Sequence, residues 1–112
     1  MDTRKLSDTV SVSGQIDPAD VPDLARAGFR SIVCNRPDGE EDGQPTYADV
    51  ADAARACGME VRHIPVGATI PMETQVEPLA AALEKLPVPI LAYCRSGARS
   101  TALWQAATGS KA

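Results

Sequence analysis

Short apolar runs alternate along the chain with stretches in which apolar residues recur every three to four positions. Val10–Ser13 alternates apolar and polar residues and predicts an edge strand, residues 31–34 and 88–93 predict buried strands, and residues 59–66 predict a further strand. Strands separated by helical segments indicate βαβ units and therefore a mostly parallel sheet. We expect an α/β fold with a central sheet of four to five strands flanked by helices.

The helical stretches carry start and stop signals. Asp17 followed by Pro18 predicts a helix N-cap with proline at the first helical position, and Gly28 ends that segment. Thr46 and Thr74 each precede an acidic residue three positions later, so each predicts a capping box. The predicted inner faces comprise Val50, Ala51, Ala54 and Cys57 in one helix and Val76, Leu79, Ala80, Leu83 and Leu86 in the next.

Composition and charge narrow the class of protein. A length of 112 residues suits one domain, and a net charge of −4 argues against a nucleic-acid partner, which requires a basic face. No apolar run approaches the roughly 18 residues that span a bilayer, so no membrane association is expected. Three cysteines without framework spacing predict a reducing compartment, the cytoplasm, and a single histidine predicts no metal site.

The segment with the most distinctive chemical groups directly follows the last predicted strand. A strand that turns directly into a helix points several backbone N–H groups inward, where the helix N-terminus adds partial positive charge. Gly97 permits the positive φ that such a turn needs, and Arg99 offers a planar fork to a phosphate or sulfur oxyanion. The whole segment is Cys94-Arg95-Ser96-Gly97-Ala98-Arg99-Ser100.

The same donors predict a reactive thiolate at Cys94, since amides and a guanidinium lower a thiol pKa. Ser100 is placed to hydrogen-bond the sulfur. Cys34 and Cys57 lack such surroundings and are predicted to be small buried residues. His63 is predicted to lie in the core or at its rim, and Trp104 in the core.

The Cys94 loop resembles two known active-site loops. Protein tyrosine and dual-specificity phosphatases carry a Cys, five intervening residues and an Arg followed by Ser or Thr, whereas rhodanese-type sulfurtransferases often carry the shorter C-R-S-G-x-R-S. Four residues separate Cys94 from Arg99, which favours the rhodanese loop. The chain nevertheless lacks the Asp-x-Arg and Gly-His-Ile segments typical of single-domain rhodaneses.

The rest of the chain resembles the bacterial DUF442 family, the phosphatase-like domain of β-lactamase-hydrolase-like proteins. The resemblance covers residues 5–104 and implies a protein-tyrosine-phosphatase-like fold. Some members are fused to metallo-β-lactamase-like persulfide-oxidising domains, and the family is also labelled as sulfur transferases. The segments that carry it are Val12-Ser13-Gly14-Gln15, Gly28-Phe29, Asn35-Arg36-Pro37-Asp38-Gly39-Glu40-Glu41, Ile64-Pro65-Val66 and the Cys94 loop.

The resemblance implies that Cys94 is the nucleophile and that the Arg99 side chain binds the anion, with Ser100 directly after it. The backbone that would complete the anion site is that of Arg95, Ser96, Gly97 and Ala98.

Classical members place a general-acid Asp after the third strand, where this chain has no acid in residues 67–71. Asp38 is the predicted substitute, with Glu40 and Glu41 as alternatives, because their loop should lie at the same end of the sheet. Arg36 is placed in the anion-binding set. The alternative is a solvated turn that Arg36 and Asp38 hold together.

These observations predict a cysteine-dependent phosphatase-like hydrolase that acts on a small oxyanion or phosphorylated substrate through a phosphocysteine, with no cofactor. One alternative is a sulfurtransferase that carries a persulfide on Cys94. Another is a non-catalytic anion-binding or redox-sensing module. Relatives usually continue with another helix, so the C-terminus is predicted to be shortened, which would expose core and favour a homodimer.

Overall fold

A five-stranded mixed sheet forms the centre of the computed structural model, which describes residues 2–110. The strand order is β1-β2-β5-β3-β4, with β1 antiparallel to β2 and the other pairs parallel. The predicted α/β fold and mostly parallel sheet are therefore confirmed. The strands are β1 (Thr3–Lys5), β2 (Val10–Ser13), β3 (Ser31–Cys34), β4 (Glu60–His63) and β5 (Ile90–Tyr93).

Helices cover both faces of the sheet. Side chains alternate along β5, so that Ile90 and Ala92 face one core cluster while Leu91 and Tyr93 face the other. The first cluster includes buried residues of α3 and α4, and the second includes buried residues of α1 and α2. The helices are α1 (Val21–Arg26), α2 (Tyr47–Ala56), α3 (Val76–Lys85) and α4 (Ala98–Thr108), with 3₁₀ turns at Pro18–Asp20 and Met72–Gln75. None of the helices in residues 2–110 is both long and apolar enough to cross a membrane.

The prediction that Val10–Ser13 is an edge strand was wrong. β2 pairs with β1 on one side and with β5 on the other, so it lies inside the sheet. Thr3–Lys5 is fully exposed and carries no apolar residue, and therefore gave no strand signal. A strand that covers an edge needs only its backbone for pairing, so its side chains can all be polar.

One predicted capping box exists only in part and the other is absent. The Thr46 hydroxyl accepts a hydrogen bond from the Asp49 N–H at 3.1 Å and starts α2. Thr74 instead lies inside a 3₁₀ turn, and its hydroxyl donates to the Pro71 carbonyl, so α3 begins at Val76 without it. A tight turn after a proline takes the hydroxyl that a cap would need.

The predictions for the cysteines and the tryptophan are confirmed in part. Cys34 is buried in the sheet and Trp104 in the core, both as expected. Cys57 was wrongly assigned to the inner face of α2, because it follows the helix as its C-cap and is exposed. His63 lies half-buried at the rim, and its ring stacks on Tyr47 with the centroids 4.5 Å apart.

Thr46→Ala is expected to lower the free energy of unfolding by about 1 kcal/mol, because the Asp49 N–H loses its acceptor. Thr74→Ala serves as the matched control and should change it by less than about 0.5 kcal/mol. Urea unfolding followed by circular dichroism measures both. Equal losses in the two variants would contradict the different roles of these threonines.

Candidate active site

Cys94 lies where β5 passes into the turn that begins α4. The residue is 0% exposed, and its Sγ accepts a hydrogen bond from the Gly97 N–H at 3.1 Å. Gly97 has φ 95°, in the left-handed region that other residues rarely adopt, and a Cβ there would lie 3.4 Å from the Ser13 carbonyl oxygen. The turn therefore brings backbone donors onto the sulfur, as a strand-to-helix anion site requires.

The surroundings of Cys94 favour the thiolate. Burial raises the pKa of the thiol, but hydrogen bonds from the Ser100 and Ser96 amides, the Ser100 hydroxyl and the Gly97 amide outweigh it, so the pKa lies below its usual value. The Ser100 side chain is buried, and its Oγ forms no hydrogen bond of standard geometry within the described residues, so it acts on the sulfur as a nearby hydroxyl. Cys94 therefore carries more thiolate near neutral pH than an ordinary cysteine does.

Arg99, in the first turn of α4, is held by a carboxylate from another loop. Its Nη1 donates to Glu40 Oε2 at 2.8 Å and to the Val66 carbonyl at 2.7 Å, and its Nη2 donates to Glu40 Oε1 at 2.7 Å. Hydrogen bonds to Glu40 raise the pKa of Arg99, and the nearby Cys94 raises it further. The contacts to Glu40 and Val66 are made by Nη1 and Nη2 of Arg99.

Glu40 is an anion at any pH at which the protein would work. The Arg99 hydrogen bonds are the main cause that lowers the pKa of Glu40 to about 2, with Arg36 contributing further. A carboxyl group that is ionised near pH 7 cannot donate a proton to a leaving group. Of the predicted alternatives for the general acid, Glu40 therefore acts as an ion-pair partner of Arg99.

Arg36 belongs to the same loop as Glu40, and its side chain is buried. The residue is 1% exposed, and its guanidinium donates to Glu40 at 2.9 Å, to the Gln15 side-chain carbonyl at 3.0 Å and to Glu41 at 3.1 Å. The His63 Nε2 donates to the Arg36 backbone carbonyl at 3.0 Å. The structure thus directs Arg36, a predicted anion binder, to carboxylates of its own loop.

Asp38, the predicted general acid, contacts the start of α2. Its Oδ1 accepts a hydrogen bond from the Tyr47 N–H at 2.8 Å, and the residue is exposed. This contact satisfies one of the free amides at a helix N-terminus. The structure does not bring Asp38 into a hydrogen bond with any residue of the Cys94 loop, so its role as an acid stays a prediction.

The other predicted anion-binding residues lie on the turn with their side chains outward. Arg95 has a side chain 68% exposed, with Nη2 3.9 Å from Glu41 Oε2. Ser96 is exposed and accepts the Ala98 N–H at 3.3 Å, which closes the turn. These residues can offer backbone amides to an anion, whereas their side chains face solvent.

Gly14 and Gln15, at the end of β2, support the site and were missed as site residues by sequence reasoning. The Gln15 N–H donates to the Arg95 carbonyl at 3.2 Å, and its side chain accepts from Arg36. A Cβ on Gly14 would lie 2.9 Å from the Arg95 carbonyl oxygen, so glycine allows the two backbones to meet. The Gly-Gln pair directly after a strand was the available signal.

An open groove of about 310 Å³ runs beside the turn. It lies on the side of β2, next to the outer face of the Cys94 loop. The groove adjoins the turn through Ser96. Its lining residues are Asp2, Ser13, Gly14, Gln15 and Ser96.

This fold and turn define a phosphatase-like α/β protein, and comparison with known proteins gives the family. Residues 2–110 match the family described as "Beta-lactamase hydrolase-like protein, phosphatase-like domain", and the chain belongs to it. The resemblance identified from the sequence is thereby confirmed. A β-lactamase hydrolase-like protein from Agrobacterium fabrum is 34% identical over 89% of this chain, which spans only 23% of that relative.

Solved structures agree with the fold. A Neisseria meningitidis protein described as a candidate phosphatase superposes with a TM-score of 0.81 at 35% identity, covering 90% of this chain and 72% of that one. Tk-PTP in its active form superposes with a TM-score of 0.66 at 18% identity, covering 97% of this chain and 76% of that one. The expected protein-tyrosine-phosphatase-like fold is confirmed.

Ser100→Ala is expected to raise the pKa of Cys94, because the thiolate loses the Ser100 hydroxyl as a donor. The pH at which iodoacetamide alkylates Cys94 at half its maximal rate reports this pKa, measured in a Cys57→Ser background that removes the exposed thiol. The hydroxyl of Ser96 bonds the Ala98 amide instead of the sulfur, so Ser96→Ala should leave the midpoint unchanged. An unshifted midpoint in Ser100→Ala would remove this hydroxyl from the thiolate's environment.

Proposed function

We propose that this phosphatase-like chain is a cysteine-dependent hydrolase that cleaves phosphate from a small phosphorylated substrate. One observation carries the proposal: the Cys94 sulfur accepts the Gly97 amide and has a lowered pKa, and the same turn leads directly into the helix that carries Arg99. A thiolate nucleophile and an oxyanion site in one turn are the two requirements of this chemistry. The phosphatase-like family supports the same chemistry.

The proposed reaction has two displacement steps. The phosphoryl oxygens lie against the amides of residues 95–99 and the Arg99 guanidinium, while the Cys94 thiolate attacks phosphorus. The S–P bond forms as the bond from phosphorus to the leaving oxygen breaks, and the leaving group departs with the electron pair. Water then attacks the phosphocysteine, the S–P bond breaks, and phosphate and the thiolate are released. Ser100 stabilises the sulfur as it departs.

Protonation of the leaving group is the weakest part of this mechanism. The segment at residues 67–71 carries no acidic side chain, and Glu40 is ionised because its pKa is about 2. Asp38 is bonded to the Tyr47 amide. Substrates whose leaving groups are stable without a proton, such as phenolates or phosphate itself, are therefore favoured.

The same features favour one alternative, a sulfurtransferase. The four-residue spacing between Cys94 and Arg99 is that of rhodanese-type loops, and transfer of a sulfane sulfur to and from the Cys94 thiolate needs no acid for an alkoxide leaving group. In that reaction thiosulfate gives its outer sulfur to Cys94 and releases sulfite. Cyanide then takes the sulfur from the persulfide as thiocyanate.

Paired assays on wild-type protein and Cys94→Ser separate the two reactions. One assay follows p-nitrophenyl phosphate hydrolysis, and the other follows thiocyanate formation from thiosulfate and cyanide. We expect phosphate release that is lost in Cys94→Ser and no thiocyanate. Cys94-dependent thiocyanate without phosphate release would establish the sulfurtransferase, and turnover by neither route would leave an anion-binding or redox-sensing module.

A series of aryl phosphates tests the leaving group. We expect the rate to fall steeply as the pKa of the leaving phenol rises, and Asp38→Asn to leave that slope unchanged, since the Asn oxygen can still accept from Tyr47. Asp42→Asn, an exposed substitution in the same loop, is the control. A slope that steepens only in Asp38→Asn would identify Asp38 as the general acid.

A further inference from the structure

We propose that Arg36 is a positioning residue for the oxyanion site, acting through Glu40 and Glu41 on both arginines of the Cys94 loop. The proposal rests on the proposed function in that it takes the Cys94 turn to hold the substrate anion. It assigns Arg36 no contact with substrate. Its role is to fix where two guanidinium groups stand before an anion arrives.

Arg36 suits this role because its guanidinium is buried and hydrogen-bonded to other side chains of the protein. Three different nitrogens, Nε, Nη1 and Nη2, donate to Glu40, Gln15 and Glu41 at 2.9, 3.0 and 3.1 Å. Its side chain is only 2% exposed. A planar fork with all three nitrogens engaged sets the orientation of both carboxylates, which a flexible ammonium group could not do.

The first branch leads to Arg99. Glu40 Oε1 accepts from Arg36 Nε at 2.9 Å and from Arg99 Nη2 at 2.7 Å, so one oxygen joins the two guanidinium groups. Glu40 Oε2 accepts from Arg99 Nη1 at 2.8 Å. With both carboxylate oxygens committed, Arg99 cannot rotate about its end without breaking a bond, so its guanidinium is held in one orientation.

The second branch leads to Arg95 and is looser. Glu41 Oε1 accepts from Arg36 at 3.1 Å, while Glu41 Oε2 lies 3.9 Å from Arg95 Nη2. Both of these outer side chains are more than half exposed, so the Glu41–Arg95 contact is weak in water. The hydrogen bonds around Arg36 therefore fix the orientation of the Arg99 side chain, whereas they constrain the Arg95 side chain only weakly.

Charge gives Arg36 a second effect on anion binding. Arg36, Arg95 and Arg99 with Glu40 and Glu41 leave one net positive charge beside Cys94. Without Arg36 the two carboxylates would cancel the two loop arginines. A test must therefore separate lost positioning from lost charge.

The charge-matched test is the double substitution Arg36→Gln with Glu41→Gln, which removes one charge of each sign and leaves the Glu40 carboxylate and Arg99 in place. The matched control is Arg55→Gln with Asp52→Asn, which removes an exposed pair 4.0 Å apart on α2. All proteins carry Cys57→Ser, so that Cys94 is the reactive thiol, and Cys94→Ser confirms the site of labelling. Iodoacetate and iodoacetamide serve as probes because they differ mainly in charge.

The measured quantity is the ratio of the iodoacetate rate to the iodoacetamide rate at one pH, in which the thiolate fraction cancels. We expect the ratio to fall about tenfold in the Arg36/Glu41 double variant, the scale of a lost charge-assisted hydrogen bond, and to hold in the control. Inorganic phosphate should also protect Cys94 from iodoacetamide about tenfold less well. A folded double variant with an unchanged ratio would show that Arg36 only stabilises the loop, and would overturn the proposal.

Arg36→Lys provides a second route if the double variant does not fold. It keeps the charge and the aliphatic stem but cannot hold Gln15, Glu40 and Glu41 in one plane. The ratio should fall in this variant too, and an unchanged ratio in folded Arg36→Lys protein overturns the proposal. Alkylation needs no turnover, so a chain that hydrolyses nothing would refute the proposed function while leaving the positioning role measurable.

Discussion

The parallel pairing of β5 between β2 and β3 determines where every group of the candidate site lies. Ser13 and Cys34 are both in register with Tyr93, so three strands end at the same level. Because parallel strands deliver their carboxyl ends to one edge, the segments that follow them must meet there. The Gly14–Gln15 segment, the loop of Arg36 and the Cys94 turn are consequently neighbours, although they are distant in sequence.

Nearby hydrogen-bond donors determine the chemistry at this edge of the sheet, although the net charge of the whole chain is negative. The chain carries a net charge of −4, yet amides and the Ser100 hydroxyl favour a negative sulfur at Cys94. Such donors act over hydrogen-bond distance in a partly buried site, whereas the charges spread over the surface are screened within about 10 Å. An acidic protein can therefore hold an oxyanion, provided that nearby carboxylates are each paired with an arginine.

The sequence predicted the parts of the fold that depend on local pattern. Buried strands and amphipathic helices have periodicities of their own, and the strand-Cys-Gly-Arg-helix segment is chemically distinctive. Thr3–Lys5 could not be found in this way because its strand exists only through pairing with β2. Thr74 shows the opposite failure, since its local pattern was right but the preceding proline turn took the hydroxyl.

The site, like the fold, was predicted where its contacts are local in sequence and missed where they join distant loops. The spacing within the Cys94 loop identified the thiol and its donors, because those contacts are local. The partners of Arg36 and Arg99 depend on which loops meet, and charge pattern alone could not show that Glu40 rather than Asp38 would reach Arg99. The Arg36–Glu40 spacing of four residues was the one local hint.

The bond from Arg99 to Val66 uses the backbone carbonyl of Val66 and not its side chain. Any residue placed at that position presents the same acceptor, so substitution there need not disturb the guanidinium. Val66 is buried in the core, so another apolar side chain that packs there would keep the carbonyl that holds Arg99. Recognition and reactivity at this edge of the sheet are, to that extent, separable traits.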